Sequence, residues 1–185
     1  MVNAACISGI TKLVKALARV RTPVVFPSMK LASLLTPDQI VLDMRTEEHM
    51  DAILELVDHL VEVERLSPSL REEVVESLRA REEQVSTGIG YGVAIPHAFS
   101  EKLDQVVTVF GRSAKGIDFE ALDHCPVHFV VLFLVPKKDY HMHLQTLAAI
   151  AKMFTNCEIR KQLAAAECRT EILNILAGKG SRNVA

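Results

Sequence analysis

The sequence predicts an α/β fold: a small mixed sheet flanked by helices, in a single compact domain. Three observations carry this. Two successive segments before residue 84 place apolar residues at i, i+3, i+4 spacing. Two β-branched, apolar runs follow, one of them with almost no polar alternation. Helical periodicity then returns for the rest of the chain. Helix, helix, strands, helix, helices is the order of a sheet covered by helices. A chain of 185 residues, 49% hydrophobic, can bury one sizeable core and is too short for two full ones.

Residues 1–28 differ from the remainder. Lys12, Lys15, Arg19 and Arg21, with Lys30 just beyond, meet no acidic residue before Asp38. Ile10, Leu13, Val14 and Leu17 lie at helical spacing, so a short basic helix touching a membrane surface is one reading. A poorly ordered basic extension is the favoured one, because termini are commonly loose. The segment lacks a continuous apolar stretch and a cleavage site, so it does not read as a signal peptide. Organised sequence starts after Met29, which bounds the domain at residues 29–180 and leaves 181–185 as a tail.

From Thr46 to Val63, the residues Met50, Ile53, Leu54, Val57, Leu60 and Val61 form one helical face. Ser67-Pro68 supplies an N-cap and a first-turn proline for a second helix, which runs to about Glu83 with Leu70, Val74, Val75 and Leu78 inward. After the glycine-rich stretch Gly88 to Gly92, the short segment Val93-Ala94-Ile95 stops at Pro96. Gln105 to Gly111 reads as a strand. Val127 to Val135 is apolar except for His128, the pattern of a central strand buried on both faces. The polar link Lys137-Lys138-Asp139 precedes a helix with an inward stripe of Leu144, Leu147, Ala148, Ala151 and Phe154. Helices around Glu158–Ala166 and Thr170–Ala177 complete the domain.

Composition narrows the function. A net charge of −2 gives no electrostatic footprint for a nucleic-acid partner. The longest apolar run, Phe129 to Val135, is strand length, so no stable membrane insertion is expected and a cytoplasmic location is. Cys6, Cys125, Cys157 and Cys168 form no C-x-x-C pair and no disulfide or zinc spacing. They read as free, mostly buried thiols in a reducing compartment.

His97 is the leading candidate for chemistry. It follows Pro96, which stiffens the backbone that presents the imidazole. Neutral imidazole is a competent nucleophile near pH 7. Gly88, Gly90 and Gly92 allow close backbone approach, and such a loop can leave amides for an anion. Ser86 and Thr87 cap or line the same loop. Arg81 is close in sequence, and an arginine fork suits phosphate oxygens; its plainer reading is a solvated cation at a helix end. His143 lies on the flank of its helix, four residues before Leu147. A metal reading from His97, His124, Cys125, His128, His141 and His143 ranks low, because no zinc spacing joins them.

In combination these residues form a pattern. Arg81-Glu82, Ser86-Thr87-Gly88-Ile89-Gly90, Gly92 to His97, Gly116-Ile117-Asp118-Phe119, Val127 to Pro136 and His143-Leu144-Gln145-Thr146-Leu147 occur in order. Over roughly residues 29–180 the chain resembles the enzyme IIA domain of the fructose–mannitol class of the bacterial phosphoenolpyruvate-dependent phosphotransferase system, most of all its nitrogen-regulatory branch. The resemblance implies that His97 takes a phosphoryl group from a histidine phosphocarrier protein. It implies that His143 is the second active-site histidine and that Arg81 stabilises the phosphoryl group. It implies a phosphotransferase component with a phosphohistidine intermediate rather than a stand-alone enzyme, with no cofactor and no metal. The acceptor would be a IIB domain or a regulatory target protein. Tyr91 stands where the regulatory branch usually has asparagine, and Ala98 where it often has glycine. Three functions follow: a regulatory carrier, a sugar-specific transport component, and a binding module independent of phosphorylation.

Overall fold

A computed structural model describes residues 31–121 and 123–179, with the backbone alone for residues 140–143. The predicted extension 1–28 and tail 181–185 lie outside the described residues. Among the described residues the strands are β1 (Ile40–Val41), β2 (Gly88–Gly90), β3 (Val93–Ala94), β4 (His97–Ser100), β5 (Val107–Ile117) and β6 (Val127–Pro136). The helices are α1 (His49–Glu62), α2 (Arg71–Glu82), α3 (Tyr140–Phe154), α4 (Cys157–Ala165) and α5 (Arg169–Leu176).

The strands form one mixed sheet in the order β1-β5-β6-β3-β2, with β4 also paired to β6. β6 is central. It runs antiparallel to β5 on one side and parallel to β3 and then β4 on the other. Its composition explains this place. Phe129, Val131, Phe133 and Val135 enter the layer under α3, α4 and α5, where they meet Ile150, Phe154, Leu163 and Ile172. Val130, Leu132 and Leu134 enter the opposite layer, with Ile53, Leu56, Leu60 and Leu78 of α1 and α2. A strand apolar at every position can lie only between two covered faces.

The predicted helices and both long strands are present, and four details differ. Pro68 opens a 3-10 turn, Pro68–Leu70, and the α-helix begins at Arg71; Ser67 makes no capping bond to the backbone. β5 continues to Ile117, six residues past its expected end, through a register shift between Arg112 and Ile117. The inward stripe of α3 is rotated. Leu144 is 50% exposed and Ala148 is exposed, whereas Ile150 and Phe154 are buried, because the helix packs through the row Leu147, Ile150, Ala151 and Phe154. The thiols of Cys125, Cys157 and Cys168 are exposed, not buried. Cys157 opens α4, Cys168 caps α5, and Cys125 lies in the turn before β6, all positions outside the packed layers.

Phe110 of β5 is fully buried and stacks on Phe129 with ring centroids 6.3 Å apart. Phe110→Ala is expected to lower the unfolding free energy by about 3–5 kcal/mol in chemical denaturation, through lost burial and the cavity left behind.

Candidate active site

His97 opens β4, immediately after a break in the strand. β3 and β4 keep one register along β6, with Val93 opposite Phe129 and His97 opposite Phe133. Pro96 interrupts them because it has no N–H to give. Its carbonyl still accepts from Phe133 N at 2.9 Å, and Ile95 N donates to the Thr87 carbonyl at 3.0 Å. The backbone on both sides of the proline is therefore pinned. Strand alternation sends Ala98 into the α1/α2 layer and turns His97 and Phe99 toward the other face, their rings 6.2 Å apart and edge-on.

Two contacts define the imidazole. Nδ1 lies 3.0 Å from the Ile95 carbonyl oxygen. A carbonyl only accepts, so Nδ1 carries the proton, and in the neutral ring the lone pair is on Nε2. Arg81 Nε, 3.3 Å from Nε2, donates to it. A guanidinium cannot accept, so this contact requires the same tautomer. The Arg81 fork is held from its own chain: Nη1 donates to the Val85 carbonyl at 2.8 Å, just past the end of α2. At 3.3 Å the Arg81–His97 bond is long and weak, and easily exchanged for an anionic oxygen that the guanidinium binds more strongly.

Burial pushes the His97 pKa below its ordinary value of 6.5. The Ile95 carbonyl opposes this by accepting from Nδ1, the Arg81 charge adds to the lowering, and the Glu82 carboxylate raises. The lowering prevails, so the ring is neutral at pH 7.

Glu82, only 7% exposed, accepts from Thr87 N at 2.8 Å and from Thr87 Oγ1 at 2.7 Å. A continuous chain results: Glu82 holds Thr87, the Thr87 carbonyl holds Ile95 N, and the Ile95 carbonyl holds His97 Nδ1. Glu82 stands in the sequence pattern beside Arg81 with no role attached to it there. The available signal was a carboxylate five residues before a threonine at the end of a polar helix. Ser86 Oγ donates to the Phe119 carbonyl and accepts from Gly88 N at 3.0 Å, which ties the loop to the end of β5.

The glycines do something other than cradle an anion around His97. Gly88 and Gly90 pair with β3, and the chain reverses with positive φ at Gly90, Tyr91 and Gly92. A Cβ on Gly88 would come within 2.8 Å of Ala121 Cβ, so close packing demands glycine there. Tyr91 N is spent on the Asp123 carboxylate at 2.9 Å. Gly92 precedes His97 by five residues along β6, about 16 Å at strand rise. The structure thus brings Arg81, Glu82, Thr87 and His97 together, and carries Gly90 and Gly92 to the far end of the strand. His143 lies in the first turn of α3, and its side chain is outside what the structure describes. His128 donates Nδ1–H to the Ser113 carbonyl at 3.0 Å. No cluster of His, Cys, Asp and Glu able to hold a metal ion occurs among the described residues.

A helix-covered mixed sheet presents a neutral, oriented histidine beside an arginine, an arrangement with the chemical means to take a group onto an imidazole nitrogen. A family profile, "Phosphoenolpyruvate-dependent sugar phosphotransferase system, EIIA 2", matches residues 33–179, and the chain belongs to that family. It is 36% identical over 148 residues to the PTS system fructose-specific EIIABC component of Bacillus subtilis, covering 80% of this chain. It spans only 23% of that relative's length. It is 34% identical over 149 residues to a nitrogen regulatory protein of Bradyrhizobium diazoefficiens, covering 80% of this chain and 95% of that one. Among solved structures, nitrogen regulatory protein IIA-Ntr from Neisseria meningitidis superposes with a TM-score of 0.72 at 33% identity, covering 78% of this chain and 97% of that one.

In an NMR titration His97 is expected to protonate below 6.5. Arg81→Ala should raise that midpoint by removing a nearby positive charge. A folded value below the unfolded one means that the contribution of His97 to stability is complete above about 6.5 and is lost as pH falls through the folded midpoint. Glu82→Ala leaves a buried N–H and hydroxyl of Thr87 without their acceptor, and should cost about 1–3 kcal/mol in thermal or chemical unfolding.

Proposed function

We propose that this chain carries phosphoryl groups on His97 Nε2, receiving them from the phosphohistidine of a histidine phosphocarrier protein and acting as a nitrogen-type regulatory IIA protein. The observation that carries this reading is the tautomer: the nitrogen beside Arg81 bears the lone pair. In the transfer, the Nε2 lone pair attacks phosphorus in line, and the donor's P–N bond breaks with its electrons returning to the donor imidazole. The proton stays on Nδ1, donated in a hydrogen bond to the Ile95 carbonyl, and that bond favours the positive charge that the ring gains. Arg81 neutralises the transferring oxygens, so catalysis is positioning and charge stabilisation. His143 is assigned, from the family pattern, to hydrogen-bond the phosphoryl group or orient His97. Thr87 and Ser86 act by holding the loop, and Gly88 by letting it pack.

The regulatory reading is supported by the superposition on the Neisseria structure and by coverage of nearly all of the Bradyrhizobium protein. The identity to a fructose-specific relative that joins A, B and C components supports a second reading, in which a IIB domain accepts the phosphoryl group.

The test is incubation with phosphoenolpyruvate, the first enzyme of the phosphotransferase system and the phosphocarrier protein. An acid-labile, base-stable phosphate should appear on the wild type and vanish in His97→Ala. Arg81→Ala should slow labelling by about 10²–10³-fold, the usual cost of losing one stabilising donor. His143→Ala should slow it and leave labelling at His97. Label that survives His97→Ala moves the site elsewhere, and no label on the wild type leaves a binding module. Rapid passage of label to a purified IIB domain selects the sugar-specific reading.

A further inference from the structure

We propose that the cavity between the β2–β3 turn and α4 is a binding site for a small phosphate-bearing anion, separate from His97. The cavity has a volume of about 550 Å³, within the usual range for small-molecule sites. Arg112, Arg160 and Lys161 line it, together with Tyr91, His128 and Phe129, and no acidic residue does. In a chain of net charge −2, a lining with three permanent cations and no acidic residue is a local reversal of sign, offset in part by Asp43 beside Arg112. Phe129, which lines the cavity, and Phe133, which lies opposite His97, are four residues apart on β6, about 13 Å at strand rise, so the cavity is displaced along the strand from His97.

The cations differ in how far they are already satisfied. Arg112 is the most committed. It donates from Nε to the Leu42 carbonyl and from Nη1 to the carbonyls of Leu163, Ala164 and Ala166, and its Nη2 lies 3.6 Å from Asp43. It braces the cavity wall. Arg160 gives one N–H to the Phe154 carbonyl and has no carboxylate partner among the described residues. Its guanidinium carbon sits 5.3 Å from the centre of the Tyr91 ring. Lys161 has no hydrogen bond or ion pair among the described residues. Arg160 and Lys161 therefore supply a fork and a point charge to an incoming phosphate.

Tyr91 is the second, independent sign. It is a non-glycine residue at φ 58, in the left-handed region that costs about 1–2 kcal/mol, and the residue is 58% exposed. Asp123 holds that strained backbone through its bond to Tyr91 N. The strain fixes an exposed aromatic ring at the cavity mouth with Arg160 laid over it, and such strain concentrates where a side chain must be aimed. Phe129 and the Tyr91 ring give an apolar wall, so the preferred occupant is a phosphomonoester with a short organic body.

The test uses the full chain at low ionic strength, where exposed charges are least screened. Inorganic phosphate, glycerol 3-phosphate and glycerol are titrated separately against amide and tyrosine-ring NMR signals. Both anions should shift Tyr91, Arg160 and Lys161 saturably, with half-saturation at or below about 1 mM for glycerol 3-phosphate. Glycerol should shift nothing. Arg160→Ala combined with Lys161→Ala should weaken binding roughly tenfold or more, about 1.4 kcal/mol, while labelling at His97 stays intact as evidence of a folded protein. Shifts centred on Arg81 and His97, equal binding by the double variant, or no saturation by either anion would each overturn the proposal. None of these outcomes bears on whether His97 carries a phosphoryl group.

Discussion

The bond from His97 Nδ1 to the Ile95 carbonyl decides which nitrogen of the imidazole can act. Everything else at the site serves or follows that constraint. It places the lone pair on Nε2, beside the Arg81 guanidinium, and it would give the ring a partner for the charge gained in the proposed transfer. The bond is possible because the chain breaks at Pro96. An uninterrupted strand would direct the Ile95 carbonyl into the ladder and leave no backbone acceptor for the side chain two residues on.

The break is tolerated because its surroundings are over-determined. β6 is packed on both faces and gives β3 and β4 a rigid rail, so their register passes through the proline unchanged. On the other side, Glu82 anchors Thr87, whose carbonyl takes the Ile95 amide. A buried carboxylate is costly unless its hydrogen bonds are made, and here two donors from one residue make them. The same carboxylate lies close enough to the imidazole to oppose the effects of burial and Arg81 on its pKa. Structure and electrostatics at His97 are thus joined through one residue at the end of α2.

Most of the fold was legible because its signals were periodic. The apolar run from Val127 to Val135 announced a strand covered on both faces, and the helical spacing from Met50 to Val61 announced a helix over it. What was missed depended on tertiary partners. The two-residue β1 carries no pattern of its own and exists because β5 continues beside it. The stripe of α3 was misplaced by a fraction of a turn because alanine and leucine occupy both sides of the true row. At the site, His97 and Arg81 were legible in order and spacing, and the contact between them was not. The glycines resemble an anion loop in sequence because composition does not reveal that Gly90, Tyr91 and Gly92 form a reversal in which Asp123 takes the Tyr91 amide. Tyr91 drew notice in the sequence as a departure from the family pattern, and in the structure it stands at the mouth of a cationic cavity.

The most direct measurement is the tautomer of His97, read from long-range ¹H–¹⁵N couplings in the ring at pH above 7 and again after phosphorylation. The proton should sit on Nδ1 in the free protein and the phosphoryl group on Nε2 in the loaded one. A ring protonated at Nε2, or a phosphoryl group on Nδ1, would contradict the account, because the Ile95 carbonyl and Arg81 would then hold the wrong nitrogens.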